Sequence, residues 1–239
     1  GSIVIGLLMF LVLGRPIAWL METLTDALSS MSGSSAVILG LVLGLMMCFD
    51  LGGPVNKAAY LFGTAGLSAG TQGAYEIMAA VMIAGTVPPI ALSIATFIRK
   101  SLFTPAEQEN GKSAWLLGLS FVSEGAIPFA AADPFRVIPA MMAGGAVTGA
   151  LSMLFGAASK APHGGIFVIG TIGNPVGFLI ALVAGSLLMM HGFVYAVGFR
   201  GTAEPREGSA AREFVRLTAV AYVLSLLISL YVLWTFGRT

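Results

Sequence analysis

From residue 36 onward the chain alternates between long apolar runs and short interruptions built of Gly, Pro and charged residues. Ala36 to Phe49 is apolar and stops at Asp50-Leu-Gly-Gly-Pro-Val-Asn-Lys57. Residues 58–70 are apolar with small side chains, and 75–98 form a strong span that Pro88-Pro89 should kink or interrupt. A hydrophilic loop over 99–113 carries Arg99, Lys100 and Lys112. A broken segment over 114–134, a span over 137–158, a second interrupted segment over 161–176 and a span over 177–198 follow. Upstream, residues 3–13 are apolar, and 17–28, with Trp19, Glu22 and Asp26, read as an interfacial amphipathic stretch. A polar loop over 200–213 and a last apolar span over 214–236 close the chain. Several of these windows reach the roughly 20 residues that cross about 30 Å of hydrocarbon.

The pattern predicts an all-α, polytopic membrane helical bundle with two re-entrant hairpins, near 114–134 and 161–176. Charge offers a check on that reading. Arg99, Lys100 and Lys112 in one loop, and Arg200, Arg206 and Arg212 in another, should share the cytoplasmic side. The chain between them must then cross an even number of times, as it does if both interrupted segments enter and leave on the same side.

Composition agrees with the pattern. The 239 residues are 57% hydrophobic and only 10% charged, with a mean hydropathy of +0.93. Thirty-one glycines suit close helix packing and irregular backbone. The net charge of +1 gives no concentrated basic face for nucleic acid. A lone Cys48 excludes an internal disulfide, and it sits in an apolar run with no basic neighbour, as an inert core residue does. His163 and His191 are too few and too far apart for a zinc set. There is no phosphate-binding Gly-x-x-x-x-Gly-Lys loop, and neither a metal nor a cofactor is expected. The chain opens at Gly1-Ser2 in an apolar run without a basic leader, as expected of a fragment whose earlier spans are missing.

Candidate chemistry lies in the interruptions. Non-helical backbone at membrane depth is tolerated only where it is buried in protein or lines a cavity, and acids there are costly. Glu124, between Ser123 and Gly125 at the expected tip of the first hairpin, can accept hydrogen bonds from a polyol and act as a general base. Its structural alternative is a pair with Lys57 or Arg136. Asp133 can touch solute or serve as a cap and ion pair to Arg136. Asp50, Asn56 and Lys57 surround Gly52-Gly53-Pro54, where a broken helix exposes groups that bind solute; an Asp50–Lys57 pair is the alternative, and Asn56 is favoured as a ligand. His163, in Ala-Pro-His-Gly-Gly, offers one donor and one acceptor to a polyol. His191, at the end of a span, reads as interfacial. The solute is either a sugar-like polyol or, in an ion-coupled secondary transporter, a small polar solute whose coupling ion binds Asp50, Glu124 and Asp133.

Three runs carry a resemblance: Phe-Asp-Leu-Gly-Gly-Pro-Val-Asn-Lys-Ala-Ala-Tyr (49–60), Gly-Leu-Ser-Phe-Val-Ser-Glu-Gly-Ala-Ile-Pro-Phe-Ala-Ala-Ala-Asp-Pro (118–134) and Ala-Pro-His-Gly-Gly-Ile-Phe (161–167). Over residues 1–190 the chain resembles the fructose-specific enzyme IIC component of the bacterial phosphoenolpyruvate-dependent sugar phosphotransferase system. That resemblance implies an inner-membrane permease, homodimeric in its full-length form, embedded in lipid and holding fructose or a related ketohexose between hairpins. It implies phosphorylation of the sugar, for fructose to fructose 1-phosphate, by a phosphocysteine on a separate or fused IIB domain. It also implies Glu124 as the catalytic carboxylate at the hydroxyl to be phosphorylated, with His163 and Asn56 as sugar contacts. Cys48 lacks the loop context of a phosphocysteine, so the chain alone should bind sugar without phosphorylating it. Residues 1–198 are expected to form the IIC-like transmembrane domain, N-terminally truncated, and 199–239, where the likeness fades, a basic loop with a final span.

Overall fold

The computed structural model describes residues 36–198, with Arg15 and Trp19; the amphipathic stretch over 17–28, the loop over 200–213 and the span over 214–236 otherwise lie outside the described residues. The described chain is all-α apart from two two-residue strands. Its helices are α1 (Ala36–Phe49), α2 (Pro54–Gly66), α3 (Gln72–Ile98), α4 (Pro105–Leu119), α5 (Ile127–Ala132), α6 (Pro134–Leu154) and α7 (Pro175–Gly198). Strands β1 (Ala158–Ser159) and β2 (Ile172–Gly173) lie between α6 and α7.

Length separates the helices into two kinds. With 27, 21 and 24 residues, α3, α6 and α7 measure about 40, 31 and 36 Å at the α-helical rise, enough to cross the hydrocarbon. All three are also apolar enough to do so, which makes this a multi-pass membrane protein. By contrast α1, α2 and α4, at 14, 13 and 15 residues, reach only about 20–22 Å. They are half-crossing arms.

Contacts between glycines and their neighbours fix how the arms run. Gly40 packs on Gly149 and Met153, and Gly44 on Gly145, so α1 runs antiparallel to α6, from its C-terminal end to mid-depth. There the chain breaks at Asp50–Gly53 and turns back as α2, whose Gly63 and Gly66 lie against Met78 and Ala74 near the start of α3. The apolar run over 36–49 is therefore the first arm of a helical hairpin, and 58–70 belong to its second.

A second hairpin enters from the opposite end. Residues 99–113, expected as a hydrophilic loop, are helical from Pro105, because Thr104 and Glu107 form a capping box and Pro105 takes the first helical position. The arm α4 descends along α3, turns at Ser120–Val122 and returns through a 3₁₀ turn, Ser123–Ala126, into α5. The hairpin thus spans 105–132 rather than 114–134, and Glu124 stands on the return arm, two residues past the turn.

The third interruption has no α-helical arms; it is a loop whose second half, Gly165–Thr171, is a 3₁₀ segment kinked at Val168. Residues 160–171 leave and rejoin the same place, because β1 and β2 pair antiparallel at the base, Ala158 with Gly173 and Ser159 with Ile172. Between the loop that carries Arg99 and Lys100 and the end of α7, only α6 and α7 cross fully. Phe103 stacks on Phe193 at 5.5 Å, so the loop after α3 and the last turns of α7 lie at one end of the bundle.

Pro88 and Pro89 do not interrupt α3. A proline at position 88 removes the N–H that would serve the carbonyl of Ala84. Cys48, fully buried, donates its S–H to that carbonyl at 3.4 Å, and its Sγ also abuts Gly145. The thiol thereby closes a gap in the ladder of α3 and pins α1 against α3 and α6. Cys48→Ala should lower stability by about 1–3 kcal/mol through the unsatisfied buried carbonyl, and Cys48→Ser, which keeps a donor, should lose less. Thermal unfolding in detergent compares the two; equal losses would deny the bond its role.

Candidate functional site

The two helical hairpins enter from opposite ends and meet at their turns, and the loop over 160–171 closes on the same point. Each turn is built to solve a backbone problem. In the first, Leu51 and Gly52 take φ of 45° and 104°, which reverses the chain between α1 and α2. Pro54 supplies no N–H, and the next two amides, of Val55 and Asn56, donate to the Asp50 carboxylate at 2.8 and 2.9 Å. Gly53 is the N-cap residue, and Asp50, three residues before it, caps the first free amides of α2 with both oxygens engaged. Asn56 then donates from Nδ2 to the carbonyl of Met47 at 2.6 Å, which satisfies an open carbonyl in the last turn of α1. Its Oδ1 meets no protein donor among the described residues.

The second turn is a Schellman closure of α4: Phe121 N–H donates to Gly118 and Val122 N–H to Leu117, at 2.9 and 2.8 Å. Glycine is the usual residue at its left-handed position. Here Phe121 occupies it at φ 65°, a conformation that costs a non-glycine residue about 1–2 kcal/mol. What the strain fixes is the ring. It lies 6.0 Å from the Tyr60 ring and 5.0 Å from the His163 ring, in space that Gly85 on α3 leaves free for want of a Cβ. Asn110 ties the two arms by donating to the carbonyl of Gly125 at 3.1 Å.

His163 is brought in by the paired-strand loop. Gly164 and Gly165 both adopt positive φ, and a Cβ on Gly165 would strike the carbonyl of Leu119, so only glycine allows the loop to lie flush on the second turn. Gly52 does the same for the carboxylate of Glu124, whose Oε1 would lie 2.8 Å from a Cβ at that position.

Between these parts lies a cavity of about 370 Å³, within the range of small-molecule sites. Met47, Asn56, Phe121 and Ser123 are its buried floor, while Lys57, Glu124 and His163 are exposed at its mouth, with Tyr60 and Val122 between. Of the residues singled out from sequence, the structure gathers Asn56, Lys57, Glu124 and His163 around one space. Asp50 supports that space from behind. Asp133 does not line it: its carboxylate meets Arg136 at 2.7 Å where α5 gives way to α6. His191, half-buried on α7, does not line it either. Among the described residues neither Glu124 nor Lys57 forms an ion pair, so the structural pairings weighed for Glu124 are not made.

Tyr60, Phe121 and Ser123 are lining residues that sequence reasoning did not single out. Tyr60 follows Asn56 by one helical turn and so shares its face, a signal open to reading. Nothing in a sequence announces that a Phe will take a left-handed backbone.

The Phosphotransferase system, EIIC family model matches residues 2–144, and DUF2391, a model for integral membrane proteins, matches residues 138–239. The PTS system fructose-specific EIIB'BC component of Escherichia coli (strain K12) is 52% identical over 199 residues, 82% of this chain and 34% of its own length. Its counterpart in Vibrio cholerae is 53% identical over 201 residues, again 82% and 34%. The PTS system fructose-specific EIIC component of Haloferax volcanii is 49% identical over 181 residues, 75% of this chain and 48% of the relative. The chain therefore spans between a third and a half of the length of these curated relatives. No solved structure gives a significant match.

The cap predicts a measurable effect. Asp50→Ala should lower stability by about 1–2 kcal/mol and loosen the Asn56–Met47 bond beside it. Thermal unfolding reads the first, and hydrogen exchange at the start of α2 the second; unchanged protection there would show that Asp50 is not the cap.

Proposed function

Because the chain belongs to the phosphotransferase-system EIIC family, we propose that it is the membrane permease part of a fructose phosphotransferase system, lodged in a bacterial inner membrane. In this reading the cavity binds fructose or a closely related ketohexose, and the sugar passes inward as a phosphoryl group reaches it from a IIB phosphocysteine. The observation that carries the reading is the constellation at the meeting of the hairpins: one unpaired carboxylate, one imidazole and one amide oxygen around a space of small-molecule size. Two of the relatives are named as EIIB'BC components, which supports a IIB partner. No observation favours ion coupling.

The chemistry asks little covalent work of the acceptor side, so positioning and charge dominate. In this reading Glu124, at the mouth, holds the attacking hydroxyl and takes its proton as the bond to phosphorus forms. His163, Ser123 and Asn56 Oδ1 offer the donors and acceptors for the remaining hydroxyls. Tyr60 and Phe121 present ring surface to the C–H face of the sugar. Asp50 acts through Asn56 and the first turn of α2, as a positioning residue.

With phosphorylated IIB and labelled fructose, Glu124→Gln should reduce sugar phosphate formation by about a hundredfold or more while the protein still inserts in the membrane. Near-normal turnover in that variant would remove Glu124 from catalysis. His163→Ala should weaken fructose binding about tenfold, the worth of one well-placed hydrogen bond. Equilibrium binding in nanodiscs measures it, and an unchanged affinity would take His163 out of the site.

A further inference from the structure

One member of the cavity carries a full positive charge, which a neutral sugar does not require. Lys57 lines it from the second turn of the hairpin's return arm, with its Nζ 5.8 Å from the centroid of the Tyr60 ring and no ion pair among the described residues. Beyond this cation–π contact with Tyr60, the usual reasons for a lysine in a membrane bundle do not hold here. It is not a snorkelling residue at a helix end facing headgroups, because α2 begins at mid-depth and runs back towards Ala74. Nor does it neutralise Asp50, whose two oxygens are taken by the amides of Val55 and Asn56. Glu124 lines the same cavity, yet the two opposite charges form no ion pair with each other. An unpaired ammonium and an unpaired carboxylate lining one cavity match a guest that carries both an anion and a hydroxyl.

We propose that Lys57 is the phosphoryl-binding residue of this cavity, making the site one for a sugar phosphate as well as for a sugar. This deepens, and rests on, the reading of the chain as a sugar permease of the phosphotransferase system. In the transfer, a sugar hydroxyl oxygen attacks phosphorus and the phosphorus–sulfur bond breaks. The cysteine thiolate of IIB departs with the electron pair, and the hydroxyl proton passes to the Glu124 carboxylate. Negative charge spreads over the three phosphoryl oxygens during this step, and a cation at the cavity mouth stabilises it. The same cation holds the product after IIB has left. Sugar and sugar phosphate then differ at this site chiefly in their interaction with Lys57, and the chain without IIB should bind both.

The test uses the full chain in nanodiscs without IIB. Radiolabelled fructose 1-phosphate and radiolabelled fructose are titrated separately against wild type, Lys57→Gln and Lys57→Arg. A charge-assisted contact to a phosphoryl group corresponds to about ten- to a hundredfold in affinity, so Lys57→Gln should weaken fructose 1-phosphate by that factor, and by at least about tenfold more than it weakens fructose. Lys57→Arg, which keeps the charge, should restore most of the loss. Thermal unfolding of each variant shows that the site is intact. Equal weakening of both ligands, no weakening of either, or failure of wild type to bind fructose 1-phosphate overturns the proposal. Failure of wild type to bind fructose, with fructose 1-phosphate bound through Lys57, would instead overturn the permease reading and leave the anion site standing.

Discussion

Hydrogen bonds at the ends of interrupted helices govern this structure. Water is scarce at the centre of a membrane bundle, so each open N–H or C=O costs several kcal/mol unless the protein supplies a partner. Here the partners are side chains, some near in sequence and some brought from other helices. Asp50 takes the first amides of α2, Asn56 serves a carbonyl of α1, and Cys48 serves the carbonyl that Pro88 abandons. Asn174, itself at φ 53°, serves both ends of the last break: its Nδ2 donates to the carbonyl of Phe155 at 2.6 Å, and its Oδ1 accepts from Gly177 at 3.0 Å. Because these obligations are met within the protein, the chain can stop three times inside the bundle and use the stops to carry chemistry.

This division of labour sorts the polar residues of the breaks. Groups that close the backbone point into protein and are spent, as Asp50 is. Groups that remain, Glu124, Lys57 and His163, surround the hollow. The glycines beside them act by absence: Gly52 makes way for the carboxylate, Gly85 for the Phe121 ring and Gly165 for a carbonyl of the opposing hairpin. A methyl group at any of the three would push a site element out of place.

Much of this was legible in the sequence. Apolar runs of sufficient length identified α3, α6 and α7, and acids beside Gly and Pro identified the breaks. The start of α4 was also written there, in Thr104-Pro-Ala-Glu107, but the abundance of polar residues over 99–113 outweighed the capping box. What periodicity does not encode is direction. Nothing in Ala36–Phe49 says that the helix stops halfway and returns, since an arm and a span share one composition. Nor does the order of residues tell that Asp50 caps while Asn56 keeps an oxygen for a guest, because both are polar groups in one broken stretch. Those assignments depend on which neighbour arrives first, a matter of packing between segments far apart in the chain.

The glycine face between α1 and α6 has a further meaning. Where Gly40 and Gly44 lie backbone to backbone on Gly149 and Gly145, there is no side chain to slide or repack. A slip of one residue would turn α1 by about 100° and shift it by about 1.5 Å, driving bulky neighbours into the seam. The two helices are therefore indexed like the teeth of a gauge, and the gauge sets how deep in the membrane the reversal at Asp50 sits. The altitude of the carboxylate chemistry is thus calibrated by residues that have no chemistry of their own.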